Sequence, residues 1–146
     1  MITRRDTRLV PYSAELMYRV VAEVENYPLF LPWVVALRVL SRRPDGLVAE
    51  MAVGYGGLRE RYTSDVRLDP QARTIEVIEI EGPFKKLENR WRFTPKDQGC
   101  QVEFCIEFEF KSRLLHSVAA HAFEKVLVKM TDAFEARAAA LSRTES

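Results

Sequence analysis

The chain has 146 residues, of which 47% are hydrophobic and 29% charged, and its formal net charge is +1. These proportions are typical of a globular protein and exclude wholesale disorder. Because 22 basic side chains are balanced by 21 acidic ones, the sequence offers no basic surface, and binding to DNA is not expected. The length predicts one domain over residues 1–146, with a core large enough to need neither disulfides nor metals.

The sequence shows no sign of a secretory signal or a membrane span. Residues 1–8 contain three arginines and no apolar stretch, and the apolar run 27–37 is too short to cross a bilayer. Cys100 and Cys105 are five positions apart, an odd spacing, so on one strand they point to opposite faces and neither bridge nor share a metal. We therefore expect an intracellular, reducing compartment and no metal site.

The predicted elements begin with a strand and a capped helix. Thr3–Leu9 reads as a strand whose arginines either protect a sheet edge or contact lipid or RNA phosphates. Ser13 is a helix N-cap followed by an apolar stripe from Leu16 to Val24. After that helix, turn residues separate five further predicted strands: Val34–Ser41, Leu47–Tyr55, Leu58–Leu68, Thr74–Ile80 and Lys86–Phe93.

The last strand and the last helix carry the strongest patterns. Apolar and polar residues alternate over Cys100–Phe110, which predicts a long strand with one buried face in an antiparallel sheet. From Ser112 to about Leu141 an apolar stripe at helical spacing predicts a helix about 45 Å long. The predicted fold class is therefore α+β: a curved antiparallel sheet of about seven strands with the long C-terminal helix across its concave face.

A straight helix does not fit a curved sheet everywhere, so the space between them is the candidate site. The aromatic segment around Tyr27, Phe30 and Trp33 either plugs one end of the core or forms the rim of an apolar pocket. Asn89 lies on an apolar strand face and needs a hydrogen bond from the protein or from a ligand. Residues 54–57 form either a mobile flap or a plain hairpin. The small side chain of Ala119 either allows close packing or leaves room for a ligand.

No catalytic residues are predicted. His116 and His121 lie about 140° apart around a helix, so they do not form a pair. None of the common nucleophile, zinc or phosphate-binding motifs is present. A cyclase or aromatase, the less favoured alternative, would need inward ionisable groups, for which Glu60, Arg90 and Arg92 are the candidates.

Several motifs resemble a known family. Residues 10–18, residues 21–33 with Tyr-Pro-Leu-Phe-Leu-Pro, Gly-Pro-Phe-Lys-Lys-Leu at 82–87, and residues 133–138 are similar to the coenzyme Q-binding branch of the START-domain (polyketide cyclase/lipid transport) family. The resemblance implies a helix-grip fold with an apolar tunnel that binds ubiquinone and supports respiratory electron transfer without catalysis. A toxin-like branch associated with the large ribosomal subunit shares these motifs. That branch is expected to have Gly-Cys where this chain has Trp33-Val34, which favours the quinone branch.

The favoured function is thus non-catalytic binding of ubiquinone or another prenyl lipid, and the alternative is a ribosome-associated interaction protein. Membrane contact would be transient, and the expected location is the cytoplasm, the bacterial inner membrane surface or the mitochondrial matrix side. We expect the quinone ring near Trp33, Tyr55, Tyr62 or Trp91. The full set of predicted ligand-binding residues is Phe30, Trp33, Met51, Tyr55, Leu58, Tyr62, Phe84, Leu87, Trp91, Phe104, Ala119, Phe123 and Leu127.

Overall fold

The computed structural model describes residues 1–56 and 58–145, without the side chains of Leu58 and Glu145. The strands are β1 (Ile2–Val10), β2 (Val34–Arg43), β3 (Gly46–Tyr55), β4 (Leu58–Asp69), β5 (Thr74–Glu81), β6 (Phe84–Lys96) and β7 (Gly99–Phe110). The helices are α1 (Ala14–Ala22), α2 (Tyr27–Phe30) and α3 (Arg113–Glu145), with a 3₁₀ turn at Val24–Asn26. The predicted order of strands and helices is confirmed.

The strands form one antiparallel sheet in the order β1-β7-β6-β5-β4-β3-β2. Strands β2 to β7 are neighbours in sequence and in space, as short turns require, while β1 closes the far side by pairing with β7. Register shifts interrupt the β2–β3, β4–β5 and β6–β7 ladders. Such bulges bend strands and increase their twist, which accounts for the predicted curvature.

Side-chain caps fix the starts of the two longer helices. The hydroxyl of Ser13 accepts a 3.1 Å hydrogen bond from the Leu16 amide, and Ser112 accepts one of the same length from the Leu115 amide. Helix α3 continues to Glu145, one turn beyond the predicted end at Leu141, because neither Gly nor Pro interrupts residues 142–145. Its 33 residues give a length of about 50 Å.

The core lies between the concave sheet face and the helices. Strand β7 alternates as predicted: Cys100, Val102, Phe104, Ile106, Phe108 and Phe110 are buried, and the intervening side chains are half-buried. The apolar face of α3 packs over this face of the sheet, and its buried residues include Phe123, Val126, Leu127 and Phe134. Helix and sheet therefore enclose an interior bounded on both sides by apolar side chains.

The connection between β3 and β4 is a tight hairpin in the described residues. Tyr55 pairs with Leu58, so only positions 56 and 57 separate the strands. Gly56 has a φ of 57°, the left-handed conformation that favours glycine, and Gly57 lies outside the described residues. The pairing favours a hairpin over an extended flap.

Candidate binding cavity

A cavity of about 110 Å³ lies between α3 and the concave face of the sheet. The sheet contributes side chains from β2 to β7, and the segment around α2 closes one end. On α3 the lining runs from Phe123 to Phe134, a rise of eleven residue steps and therefore about 16 Å of helix. The lining is almost entirely apolar, so the gap expected between a straight helix and a curved sheet is present.

Seven of the predicted residues line this cavity: Trp33, Met51, Tyr62, Leu87, Trp91, Phe123 and Leu127. They come from three strands, the loop before β2 and α3. On the strands their shared direction follows from the two-residue side-chain period, which places alternate residues on the concave face. The chain contains two tryptophans, and both contribute to the lining.

Five other predicted residues are placed outside the lining by their packing. Phe84 is stacked on Phe110, and Phe104 lies against Trp91 with ring centroids 4.4 Å apart. Their rings thus fill space beside the cavity. Ala119 is 2% exposed, and its position outside the lining favours close packing over room for a ligand.

Phe30 and Tyr55, the other two, lie where α3 passes the edge of the cavity. The Arg137 guanidinium is 5.3 Å from the Phe30 ring centroid, and the Lys129 ammonium is 5.2 Å from that of Tyr55. The thirteenth predicted residue, Leu58, has its side chain outside the part of the chain that the structure describes.

The lining also includes residues that the prediction omitted. Tyr27 lines the cavity, and its hydroxyl donates a hydrogen bond to the backbone carbonyl of Val21. Phe134 packs edge-on against Tyr27 and Trp91. Tyr27 belongs to the aromatic segment that the sequence singles out, whereas the role of Phe134 depends on how α3 lies across the sheet. The remaining omitted lining residues are Val24, Leu31, Val34, Leu37, Ala49, Val53, Ser64, Val66, Val77, Asn89, Ile106, Val126 and Met130.

The ionisable groups of the cavity favour a neutral ligand. Among the described residues, the lining contains no carboxylate, lysine, arginine or histidine, and its titratable side chains are Tyr27 and Tyr62. Burial raises the pKa of both hydroxyls, so both are uncharged at neutral pH. Arg90 and Arg92 face the outer side of the sheet, so the expectation that they could serve as inward catalytic groups is wrong.

One carboxylate stands close to the lining. Glu79 accepts a 3.1 Å hydrogen bond from the Phe84 amide, at the point where β5 leaves its pairing with β6. Burial raises the pKa of Glu79, while that hydrogen bond and the charge of Lys111 act in the opposite direction. The Glu79 carboxylate and the Tyr62 side chain both lie against Gly82, so this carboxylate is close to the lining, and its charge contributes to the raised pKa of Tyr62.

The two long sides of α3 are held differently. Along β1, Arg4 forms an ion pair with Glu124, and Arg8 contacts Asp132 at 2.7 Å and Glu135 at 3.3 Å. Arg4 and Arg8 of this edge strand therefore hold α3 against the sheet through ion pairs. On the opposite side, Lys129 and Arg137 make cation–π contacts with Tyr55 and Phe30, which contribute about 0.5–1 kcal/mol each at exposed sites.

Neither metal binding nor membrane spanning is indicated by the described residues. They include no cluster of three or more histidine, cysteine or acidic side chains suited to a metal, and no helix that is both long and apolar enough to cross a bilayer. Cys100 is buried in the core and Cys105 lies on the outer face, as their spacing predicts, and both are free thiols. Burial raises the pKa of Cys100 to about 11.

The fold and the cavity agree with a match over residues 10–135 to the family described as polyketide cyclase/dehydrase and lipid transport. The chain belongs to this family. The Zhui aromatase/cyclase from Streptomyces sp. R1128 has the same fold, with a TM-score of 0.85 over 94% of this chain and 93% of that one, at 20% identity.

Two curated relatives carry different functional names. Ribosome association toxin RatA of Escherichia coli K12 is 38% identical over 133 residues, which cover 90% of this chain and 84% of the toxin. Coenzyme Q-binding protein COQ10 homolog B of Xenopus laevis, a mitochondrial protein, is 36% identical over 138 residues, 91% of this chain and 56% of that protein. The chain thus spans most of the toxin and little more than half of the quinone-binding relative.

Proposed function

We propose that this protein binds ubiquinone or a related prenyl lipid without catalysing a reaction, and that it supports respiratory electron transport as a carrier. The observation that carries the proposal is the apolar cavity beneath α3, with Trp33 and Trp91 in its lining. Apolar pockets with a few polar groups are typical of small-molecule sites. The similarity to a coenzyme Q-binding relative supports a quinone as the ligand.

The cavity volume determines how such a ligand fits. A cavity of roughly 150 Å³ in an engineered protein core accommodates benzene, so a space of about 110 Å³ is too small for a polyprenyl chain and admits a substituted ring only if its lining moves. We therefore infer that α3 shifts when the ligand binds, so that the head group enters the widened cavity and the tail leaves between α3 and the β3–β4 hairpin. On this side the contact between Lys129 and Tyr55 is the one that must yield.

The lining supports binding rather than chemistry. General acid–base catalysis needs a group whose pKa lies near the working pH, and the raised pKa values of Tyr27 and Tyr62 move both away from it. A carrier needs only a dry pocket and a route to a lipid phase. Its place would be the cytoplasm, with transient contact at the bacterial inner membrane, or the matrix side of a mitochondrial membrane.

Intrinsic fluorescence tests this proposal directly, because both tryptophans line the cavity. Titration with a ubiquinone that carries two isoprene units should quench the emission saturably, with a stoichiometry of one. Quenching that stays linear and equals that of free tryptophan would show that no quinone site exists.

A second function is supported by the similarity to the ribosome association toxin. In that case the docking surface would be the outer sheet face, where Arg5, Lys86 and Arg90 alternate with acidic residues. The test is sedimentation of a lysate at moderate salt. Migration of the chain with large ribosomal subunits, together with absent quinone binding, would establish this alternative.

A further inference from the structure

Two polar side chains in the cavity lack hydrogen-bond partners. The hydroxyl oxygen of Ser64 and the amide oxygen Oδ1 of Asn89 are buried and unpaired among the described residues, and both residues line the cavity. Ser64 is 6% exposed. Buried polar atoms are almost always paired, so an unpaired one in a ligand-sized space indicates a partner that is supplied from outside the protein.

The sheet register places these two groups diagonally across β5, where Glu79 and Val77 lie next to them. Ser64 on β4 is opposite Glu79 of β5, and Asn89 on β6 is opposite Val77 of the same strand. Two strand spacings and a two-residue offset separate their Cα atoms by about 12 Å, and both side chains line the same cavity. Val66 and Val77 line the cavity between them.

This arrangement suits a flat apolar ring with one oxygen at each of two opposite edges. The serine hydroxyl both donates and accepts, and the asparagine amide has a donor and an acceptor, so each can bond a carbonyl or a hydroxyl oxygen. An isoprenoid chain without a head group would leave both groups unpaired. A site built in this way discriminates strongly against a ligand that lacks the bonding atoms.

The geometry points to Ser64 and Asn89 as the pair that recognises the two oxygens of the quinone ring and so selects a quinone over a plain prenyl lipid. This inference rests on the proposed quinone binding, because it names the residues that give the same cavity its specificity. Trp33 and Trp91 supply apolar surface for the ring but do not distinguish a head group from a tail.

The test compares Ser64→Ala, Asn89→Leu and the double variant with the wild type. Replacement of unpaired polar groups by apolar ones should leave the fold at least as stable, so the variants remain interpretable. Ser41→Ala, on the exposed part of β2, is the matched control. Binding of a ubiquinone with two isoprene units is followed by tryptophan quenching, and binding of a ring-free hydrocarbon of the same isoprene length by competition.

The wild type should prefer the quinone, each single substitution should weaken quinone binding by about tenfold, and the double variant should lose the preference, with hydrocarbon binding unchanged within about twofold. A double variant that keeps the wild-type preference would overturn the assignment of Ser64 and Asn89 while quinone binding itself stands. A wild type that binds neither ligand would overturn the proposed function and this inference together. If the double variant does not fold, the result for Ser64→Ala decides.

Discussion

A small side chain controls the space in which a ring would lie. Ala49 on β3 is buried and lines the cavity, opposite Ser64 in the sheet register. Because Ala49 lines the cavity, we expect a longer apolar side chain at this position to extend into the empty volume. A substitution at position 49 should therefore fill the cavity without destabilising the fold.

We predict that Ala49→Leu abolishes quinone binding without unfolding the protein. The isobutyl group occupies the ring position, so the affinity measured by tryptophan quenching should fall by at least about tenfold, while the free energy of unfolding changes by no more than about 1 kcal/mol. Ala36→Leu, on the exposed face of the neighbouring strand, serves as the control. Wild-type affinity in Ala49→Leu would place the ligand elsewhere.

Glu79 should make the stability of the folded state depend on pH. Because burial raises its pKa, the folded state holds this proton more tightly than the unfolded state does, and stability is lost as the pH rises from the ordinary glutamate value through the raised one. A glutamine side chain at this position would still accept the hydrogen bond from the Phe84 amide but would carry no charge.

We therefore expect Glu79→Gln to match the wild type in acid and to become the more stable of the two toward neutral pH. Urea midpoints measured across that range would show the separation, with Glu76→Gln on the outer face of β5 as control. A wild type that gains stability over Glu79→Gln with rising pH would refute this assignment.

At the scale of elements, α3 is held by ion pairs on its β1 side and by cation–π contacts on the other side. Arg8 reaches two acids of α3 from β1, whereas the β3–β4 side contributes the cation–π contact between Lys129 and Tyr55. The helix should hinge on its ion-paired side and open toward the hairpin. Such an opening would give a lipid tail its route out of the cavity.

Removal of the ion pairs between Arg8 and α3 should make α3 more mobile. Arg8→Met keeps the aliphatic part of the side chain and deletes its ion pairs, so amide hydrogen exchange in α3 should accelerate several-fold at low salt and less at high salt. The partly exposed pairs should contribute only about 0.5–1 kcal/mol to global stability. Arg5→Met, which faces the outer side of β1, is the control. Equal exchange in the two variants would show that the ion pairs do not hold the helix.

The elements themselves could be predicted because local chemistry fixes them. The strict alternation in β7 sets its buried face, and Ser13 and Ser112 cap helices where the sequence predicts. Turn residues separate the remaining strands. These signals depend on neighbours in the chain, so they require no knowledge of tertiary contacts.

The candidate site could be predicted only in part, because it depends on how the elements pack. Strand parity points Phe104 inward, whereas Phe84 is brought inward by a register shift against the parity of β6. Neither signal shows that these rings pack on other aromatic rings beside the cavity. The lateral position of α3 decides that Phe134 lines the cavity and Ala119 does not. Helical periodicity predicts which face of α3 is buried, but it does not predict where α3 lies across the sheet.

At the scale of the whole molecule, the same family fold accompanies two different names among the curated relatives. What distinguishes the two functions physically is where the molecule makes its contacts. If the protein carries a quinone, its contacts lie in the interior beneath α3; if it associates with the ribosome, its contacts lie on the outer surface. The apolar interior cavity is the feature that a surface function alone does not explain.

The most direct test is to extract this protein with organic solvent after purification without detergent from a host that makes ubiquinone, and to identify the extracted lipid by mass spectrometry. The account predicts that ubiquinone or a related prenyl lipid is recovered with the wild type and is absent from Ala49→Leu prepared in parallel. A wild-type extract without prenyl lipid, from cells whose membranes contain abundant quinone, would contradict it.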